Sequence, residues 1–260
     1  TSVNLLAGRA FVNHLFPLTH REWGDHFDLE RCLHFGALPG LLRFTTDEER
    51  KAFLRAYALT YLKEEVWAEQ LIRKLDPFRR FLAVAAQCNG EIVNCANVAR
   101  DVGADNKTVD SYFEILEDTL LGIRLDPYHA SIRKRQRQAP KFFFFDTGVL
   151  RALNGTLNVA LVPGTYAFGK AFEHFVFLEM IRLNEYRRAD YRFSYLRTKD
   201  GAEIDLIIER PGRSPALVEI KSTDRVDERD TREITRFLPD FTNAEAYCLS
   251  RDPVRKRIGQ

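Results

Sequence analysis

The chain has 260 residues, 45% of them hydrophobic and 29% charged, with 39 Lys+Arg against 37 Asp+Glu for a net charge of +2. That length accommodates two or three compact units, and the composition excludes a disordered or fibrous chain. The near balance of charge excludes a generally basic nucleic-acid coat, so any basic footprint must be local, as at Arg133 to Arg137 and in the tail Arg251, Arg255, Lys256, Arg257.

Residues 1–75 read as mostly helical. Asp28 to Phe35 and Asp47 to Gln70 are the main segments, broken at Gly36-Ala37-Leu38-Pro39-Gly40. No catalytic constellation is legible there. No apolar run approaches the ~18 residues of a membrane helix, and no signal segment is legible. The four cysteines, Cys32, Cys88, Cys95 and Cys248, lack zinc spacing and read as reduced, partly buried thiols of a cytoplasmic protein.

Residues 76–150 carry the spacing of a winged helix-turn-helix. Pro77 to Cys88 is an apolar-faced helix, Asn94 to Asp101 a short one, and Lys107 to Leu121 a longer one after the Gly103-Ala104-Asp105-Asn106 turn. Asn94 is the expected N-cap of the short helix and Asp105 or Asn106 of the longer one. Lys107, Thr108 and Ser111 then sit where a recognition helix meets a groove. Gly122-Ile123-Arg124-Leu125 and Lys141-Phe142-Phe143-Phe144-Phe145 pair as a wing whose phenylalanines bury rings on both faces. The joining segment holds Arg133, Lys134, Arg135 and Arg137 with no acid among them, a spacing suited to phosphates. The alternative is a solvated basic loop.

Two patterns imitate a nucleotide site. Gly164-Thr165-Tyr166-Ala167-Phe168-Gly169-Lys170 has the glycine and lysine spacing of a phosphate loop, but residue 171 is Ala, which has no hydroxyl for magnesium. Phe142 to Asp146 imitates an apolar strand ending in a metal-binding Asp, but it precedes the glycine loop. ATP is therefore not expected to bind this chain.

Residues 151–260 alternate in a helix, three strands, a helix and a strand, the order of an α/β layer with a mixed sheet. Phe168 to Leu183 has helical spacing, Tyr191 to Leu196 reads as a strand, Arg229 to Leu238 as a helix and Ala244 to Leu249 as a last strand. Between them, Ala202 to Ile208 and Ala216 to Lys221 form a hairpin about Pro211-Gly212-Arg213-Ser214-Pro215. A turn centred on Gly212 sets Asp205 opposite Glu219, with Lys221 on the same face and Ile204, Leu206, Val218 and Ile220 on the other. Crowded carboxylates repel, a cost that a bound cation offsets. The alternative is an exposed cross-strand ion pair between Asp205 and Lys221, worth about 0.5 kcal/mol.

The Ile204-Asp205 and Glu219-Ile220-Lys221 pair, with Phe172-Glu173-His174-Phe175 upstream, resembles the PD-(D/E)XK restriction-endonuclease-like superfamily. The resemblance implies that Asp205 and Glu219 ligate Mg2+, that Lys221 positions or activates water, and that Glu173 on the first helix completes the catalytic set. The proline of the superfamily pattern is Ile204 here. His174 is expected to pack or lie on the helix surface.

The stretches Asn4-Leu5-Leu6-Ala7-Gly8-Arg9-Ala10, Leu15-Phe16-Pro17-Leu18-Thr19, Gly36-Ala37-Leu38-Pro39 and Pro140 to Gly148 are similar to a bacterial and archaeal family of AAA-type ATPases. In that family the nucleotide-binding core is followed by a winged helix and an endonuclease-like domain. The resemblance implies a lid remnant at 1–75, a winged helix at 76–150 and a nuclease-like domain at 151–260. The chain starts at Thr1 rather than Met and reads as a C-terminal fragment or a truncated version, its partner being the missing N-terminal ATPase core.

The function expected is a DNA-directed, Mg2+-dependent phosphodiester hydrolase. One alternative is an inert DNA- or partner-binding regulatory module of the ATPase; another is a transcriptional regulator whose 165–260 segment serves as an effector or oligomerisation domain. A homo-oligomer is compatible with either, and a membrane partner is not expected.

Overall fold

The computed structural model describes residues 13–61, 75–129 and 139–258, and its architecture is mixed α/β. Arg133, Lys134, Arg135 and Arg137, and the Asn4 to Ala10 stretch, lie outside the described residues.

Short polar side chains start the N-terminal helices. The Thr19 hydroxyl accepts from the Glu22 amide at the head of α1 (His20–Trp23), and the Glu22 carboxylate accepts from the Thr19 amide in return. Asp28 caps α2 (Leu29–Phe35), and Thr46 with Glu49 makes a second reciprocal cap on α3 (Asp47–Ala56). The helix expected to run from Asp47 to Gln70 changes to a π turn at Tyr57–Tyr61; the rest of that span lies outside the described residues.

In the middle of the chain, α4 (Leu75–Gln87), α5 (Cys95–Val102) and α6 (Asn106–Asp118) follow the predicted spacing, with Asn94 and Asp105 as N-caps of the last two. Strands β1 (Gly122–Leu125) and β2 (Lys141–Phe144) pair antiparallel, Ile123 opposite Phe143. All four residues of β2 are buried. Phe142 and Phe144 pack into the apolar cluster of α4, α5 and α6, whereas Phe143 packs into a second cluster with Phe168, Phe172 and Phe177. Alternation in this strand thus divides two apolar interiors, which is why it is hydrophobic at every second and every intervening position.

A helix not anticipated from the sequence, α7 (Thr147–Leu153), follows β2. Asp146 caps it, one carboxylate oxygen accepting from the amides of Gly148 (2.9 Å) and Val149 (3.0 Å), the other from Ala37 (2.7 Å). The Thr147 hydroxyl donates to the Cys32 carbonyl at 2.6 Å. A Cβ on Gly148 would stand 1.9 Å from the Phe35 carbonyl oxygen, and one on Gly36, at φ +78°, would stand 2.0 Å from Asp146 Oδ1. Glycine is needed at both positions for the Gly36-Ala37-Leu38-Pro39 and Asp146-Thr147-Gly148 segments to interlock.

The remainder is a long helix, α8 (Tyr166–Arg187), and a four-stranded mixed sheet flanked by a shorter helix, α9 (Arg232–Phe237). The strands β3 (Arg192–Arg197), β4 (Glu203–Glu209), β5 (Ala216–Lys221) and β6 (Glu245–Ser250) lie in that order; the first three pair antiparallel, and β5 pairs with β6 in parallel. Pairing of Ile208 with Ala216 centres the hairpin on Gly212, as the spacing predicts, and the ladder closes at Leu206 opposite Val218.

One expectation is corrected at this point. Ser194 pairs with Ile207 and Leu196 with Ile204, so Tyr195 alone faces both Asp205 and Leu206: a β-bulge. The extra residue breaks the strict alternation. Ile204 packs with Ile207 and Leu217 under α9, whereas Leu206, Val218 and Ile220 join the cluster under α8.

Segment 126–128 ties the middle of the chain to this sheet. The Tyr128 amide donates to the Tyr195 carbonyl (2.6 Å), the Tyr195 amide to Asp126 (3.0 Å), and the Tyr195 hydroxyl to Ala139 (2.7 Å). Among the described residues, no helix is long and apolar enough to cross a membrane.

Candidate functional site

The ladder of β4 with β5 ends at Leu206 opposite Val218, so Asp205 and Glu219 lie beyond its last pair. A cleft of about 470 Å³ lies there, floored by Glu203, Asp205, Glu219 and Lys221, walled by Lys170 and Glu173 of α8, and closed by the 200–202 turn and Glu233 and Arg236 of α9. Glu173, Asp205, Glu219 and Lys221, distant in sequence, all line it.

Each side chain has a defined partner or a defined lack of one. Asp205 Oδ2 accepts from the Ile220 amide at 2.7 Å, which fixes the carboxyl across the gap between the strands. Glu219 is buried; its Oε1 accepts from Lys221 Nζ at 2.6 Å, and its Oε2 has no hydrogen-bond partner among the described residues. A buried carboxylate oxygen left without a donor is costly. Burial, reinforced by Glu219 and Glu173, raises the Asp205 pKa well above the usual carboxylate range, against the Ile220 hydrogen bond and Lys221. Burial likewise raises Glu219, against the pull of Lys221. Burial alone would lower Lys221, but its hydrogen bond to Glu219 and the charges of Glu219 and Asp205 raise it, so its amine stays cationic at neutral pH.

The donor set fits a hard divalent cation. Asp205 and Glu219 offer oxygen ligands, and the unpartnered Glu219 Oε2 is a free lone-pair site for one. Among the described residues no three His, Cys, Asp or Glu side chains come together as a group that could hold a metal ion, so protein oxygens there would fill only part of a divalent cation's shell.

Sequence reasoning did not find three residues of this region. Lys170, on the segment that imitates a phosphate loop, pairs with Glu91 (3.1 Å) and Glu173 (3.3 Å), and its segment supplies the start of α8, capped by Thr165. Glu203 and Lys141 form a contact of their own, with Glu173 Oε1 3.9 Å from Lys141 Nζ. Lys141 and Glu203 each open a strand, where a charged residue is ordinary, so the sequence carries no local sign of their contact. His174 is buried; its Nε2 donates to the Phe144 carbonyl (2.6 Å) and its ring lies beside Phe143, a packing role as expected.

At the start of α6, Lys107 and Ser111 are exposed. The Thr108 hydroxyl donates to Asp105 Oδ2 at 2.7 Å and so belongs to the helix cap. Arg124 of β1 is paired with Asp110 (3.1 Å) and Glu117 (2.9 Å).

A domain of unknown function, DUF8612, matches residues 26–159, more than half of the chain. The chain belongs to this family. In the DUF8612 segment lie both interlocking glycines and the strand that divides the two apolar interiors. A second domain of unknown function, DUF4143, matches residues 168–259 and contains Glu173, Asp205, Glu219 and Lys221. The uncharacterized proteins Rv2008c of Mycobacterium tuberculosis and Mb2031c of Mycobacterium bovis are each 31% identical over 218 residues, covering 84% of this chain and 48% of theirs. The chain thus spans about half the length of these curated relatives. No solved structure matches it.

Proposed function

We propose that this chain is a DNA-directed module whose cleft hydrolyses phosphodiester bonds with a divalent cation held by Asp205 and Glu219. The observation that carries the reading is the buried Glu219 carboxylate, one oxygen bound by Lys221 and the other unpartnered, facing Asp205 across an opened strand pair. Magnesium bound there would neutralise charge on a phosphate and supply an activated water. Lys221, cationic beside Glu219, stabilises negative charge accumulating on a phosphate oxygen rather than acting as a base. Asp205, fixed by the Ile220 amide, keeps its free oxygen directed to the cleft.

In this reading 151–260 is a PD-(D/E)XK-like domain, and α5, α6, β1 and β2 form a winged helix that brings DNA to it through Lys107, Ser111 and the Arg133 to Arg137 segment. The capped, antiparallel arrangement of these elements supports the wing. The resemblance of its segments to an AAA-type ATPase family would make the whole a part of such a protein.

The test is magnesium-dependent cleavage of supercoiled and single-stranded DNA. Asp205→Ala and Lys221→Ala are each expected to reduce turnover by a factor of about 10³ or more; full activity in either variant removes the assignment. A second reading, an inert regulatory module, draws on one observation: Lys221 already occupies Glu219, and Asp205 is held above the usual carboxylate range. Salt-dependent DNA affinity that is indifferent to Asp205→Ala and to magnesium would favour it.

A further inference from the structure

Lys141 belongs to the wing strand, yet its side chain ends in the cleft region. Its backbone is held by pairing with Leu125 and by a bridge to Ile92. The side chain is buried, passes over the Tyr195 ring (5.3 Å to its centroid), and its ammonium contacts Glu203 and lies 3.9 Å from Glu173 Oε1. Glu173 Oε2 is taken by Lys170 at 3.3 Å, and Glu203 Oε2 lies 3.7 Å from Arg197 Nε. The outer carboxylates of the cleft are thus neutralised by resident cations, whereas Asp205 and Glu219 share Lys221.

We infer that Lys141 is a positioning residue by which the wing strand delivers a tethered counter-charge to the cleft, where it competes with an entering divalent cation for the charge of Glu173 and Glu203. The inference rests on the proposed metal site and adds its regulation. A fixed ammonium beside these acids repels an incoming cation, so Lys141 weakens cation binding.

Manganese binding to the full chain, followed by the loss of the free-ion resonance signal, tests this without any turnover. Lys141→Met keeps the length of the side chain and its contact with Tyr195 while removing the charge; it is expected to bind Mn2+ about tenfold more tightly than wild type. Lys141→Arg restores the charge and should return wild-type affinity. Affinity in Lys141→Met within twofold of wild type, or weaker, overturns the inference. Asp205→Asn reports on the metal site separately: if it binds Mn2+ like wild type, the assignment of Asp205 falls, whatever Lys141 does. Should Lys141→Met not fold, the same charge removal is made in Glu203→Gln, where the double variant must bind Mn2+ more tightly than Glu203→Gln alone; equal affinity overturns the inference there too.

Discussion

Gly148 and His174 show how single residues constrain this molecule. With its absent Cβ 1.9 Å from where the Phe35 carbonyl would meet it, Gly148 has no substitute. Gly148→Ala is expected to lower unfolding free energy by about 3 kcal/mol or more, because the obstacle is backbone rather than a side chain free to turn aside; urea denaturation reads this directly. His174 is neutral and buried, donating from Nε2 to Phe144, while Nδ1 has no partner among the described residues. Burial, partly opposed by the Phe144 hydrogen bond and aided by Arg182, lowers its pKa from 6.5 to about 4. The unfolded chain therefore binds a proton that the folded one refuses between these values. The stability it contributes is present above pH 6.5 and is lost as pH falls toward 4, an effect on the order of 3 kcal/mol. Compared with His174→Gln, the wild type should lose stability more steeply over that window; parallel curves would refute the assignment.

At the scale of elements, the helix that carries Lys170 and Glu173 begins at a single hydroxyl. Thr165 accepts from the Phe168 amide at 3.3 Å, and Thr165→Ala is expected to cost about 1 kcal/mol, read by thermal unfolding, and to loosen the first turn on which Lys170 stands. Elements of this kind were largely legible in the sequence, because caps and periodicity are local properties: Asn94, Asp105 and Asp28 begin helices where short polar side chains precede apolar repeats. The hairpin register was legible too, since Gly212 with its flanking prolines leaves few places for the turn. What was not legible is non-local. Nothing in the alternation of β4 marks the bulge at Asp205, which depends on Tyr195 of another strand, and it is this bulge that places Ile204 under α9. Helix α7 escaped notice because Asp146 and Gly148 answer to Ala37 and Phe35, more than a hundred positions earlier. The four residues of the candidate site could be gathered by resemblance and register, but Lys141, reaching the cleft from a strand of the middle unit, could not.

Across the whole molecule, buried polar groups join what the apolar clusters would otherwise leave separate. Arg182 of α8 donates to the Phe145 carbonyl (2.7 Å) and lies 3.5 Å from Glu179, whose other oxygen receives the His20 amide (3.1 Å). Arg182→Met would leave the Phe145 carbonyl without its donor and Glu179 with only His20 (2.6 Å) beside it, and is expected to cost about 3 kcal/mol. Because the same arginine braces the N-terminal helices, β2 and α8, heating the wild type should give one cooperative transition by calorimetry, and two resolved transitions would contradict this coupling.

Phe143 has a practical consequence for dissecting the chain. Its ring centroid lies 4.2 Å from that of Phe177, the rings tilted by 35°, and Cys32, Leu33 and Leu125 pack in the same cluster. A fragment cut to the DUF4143 match at 168–259 would leave Phe168, Phe172 and Phe177 without these covers. Such a piece would present a greasy flank to water and clump, so its silence in an assay would report the missing lid of side chains, and only longer polypeptides can speak for the chemistry.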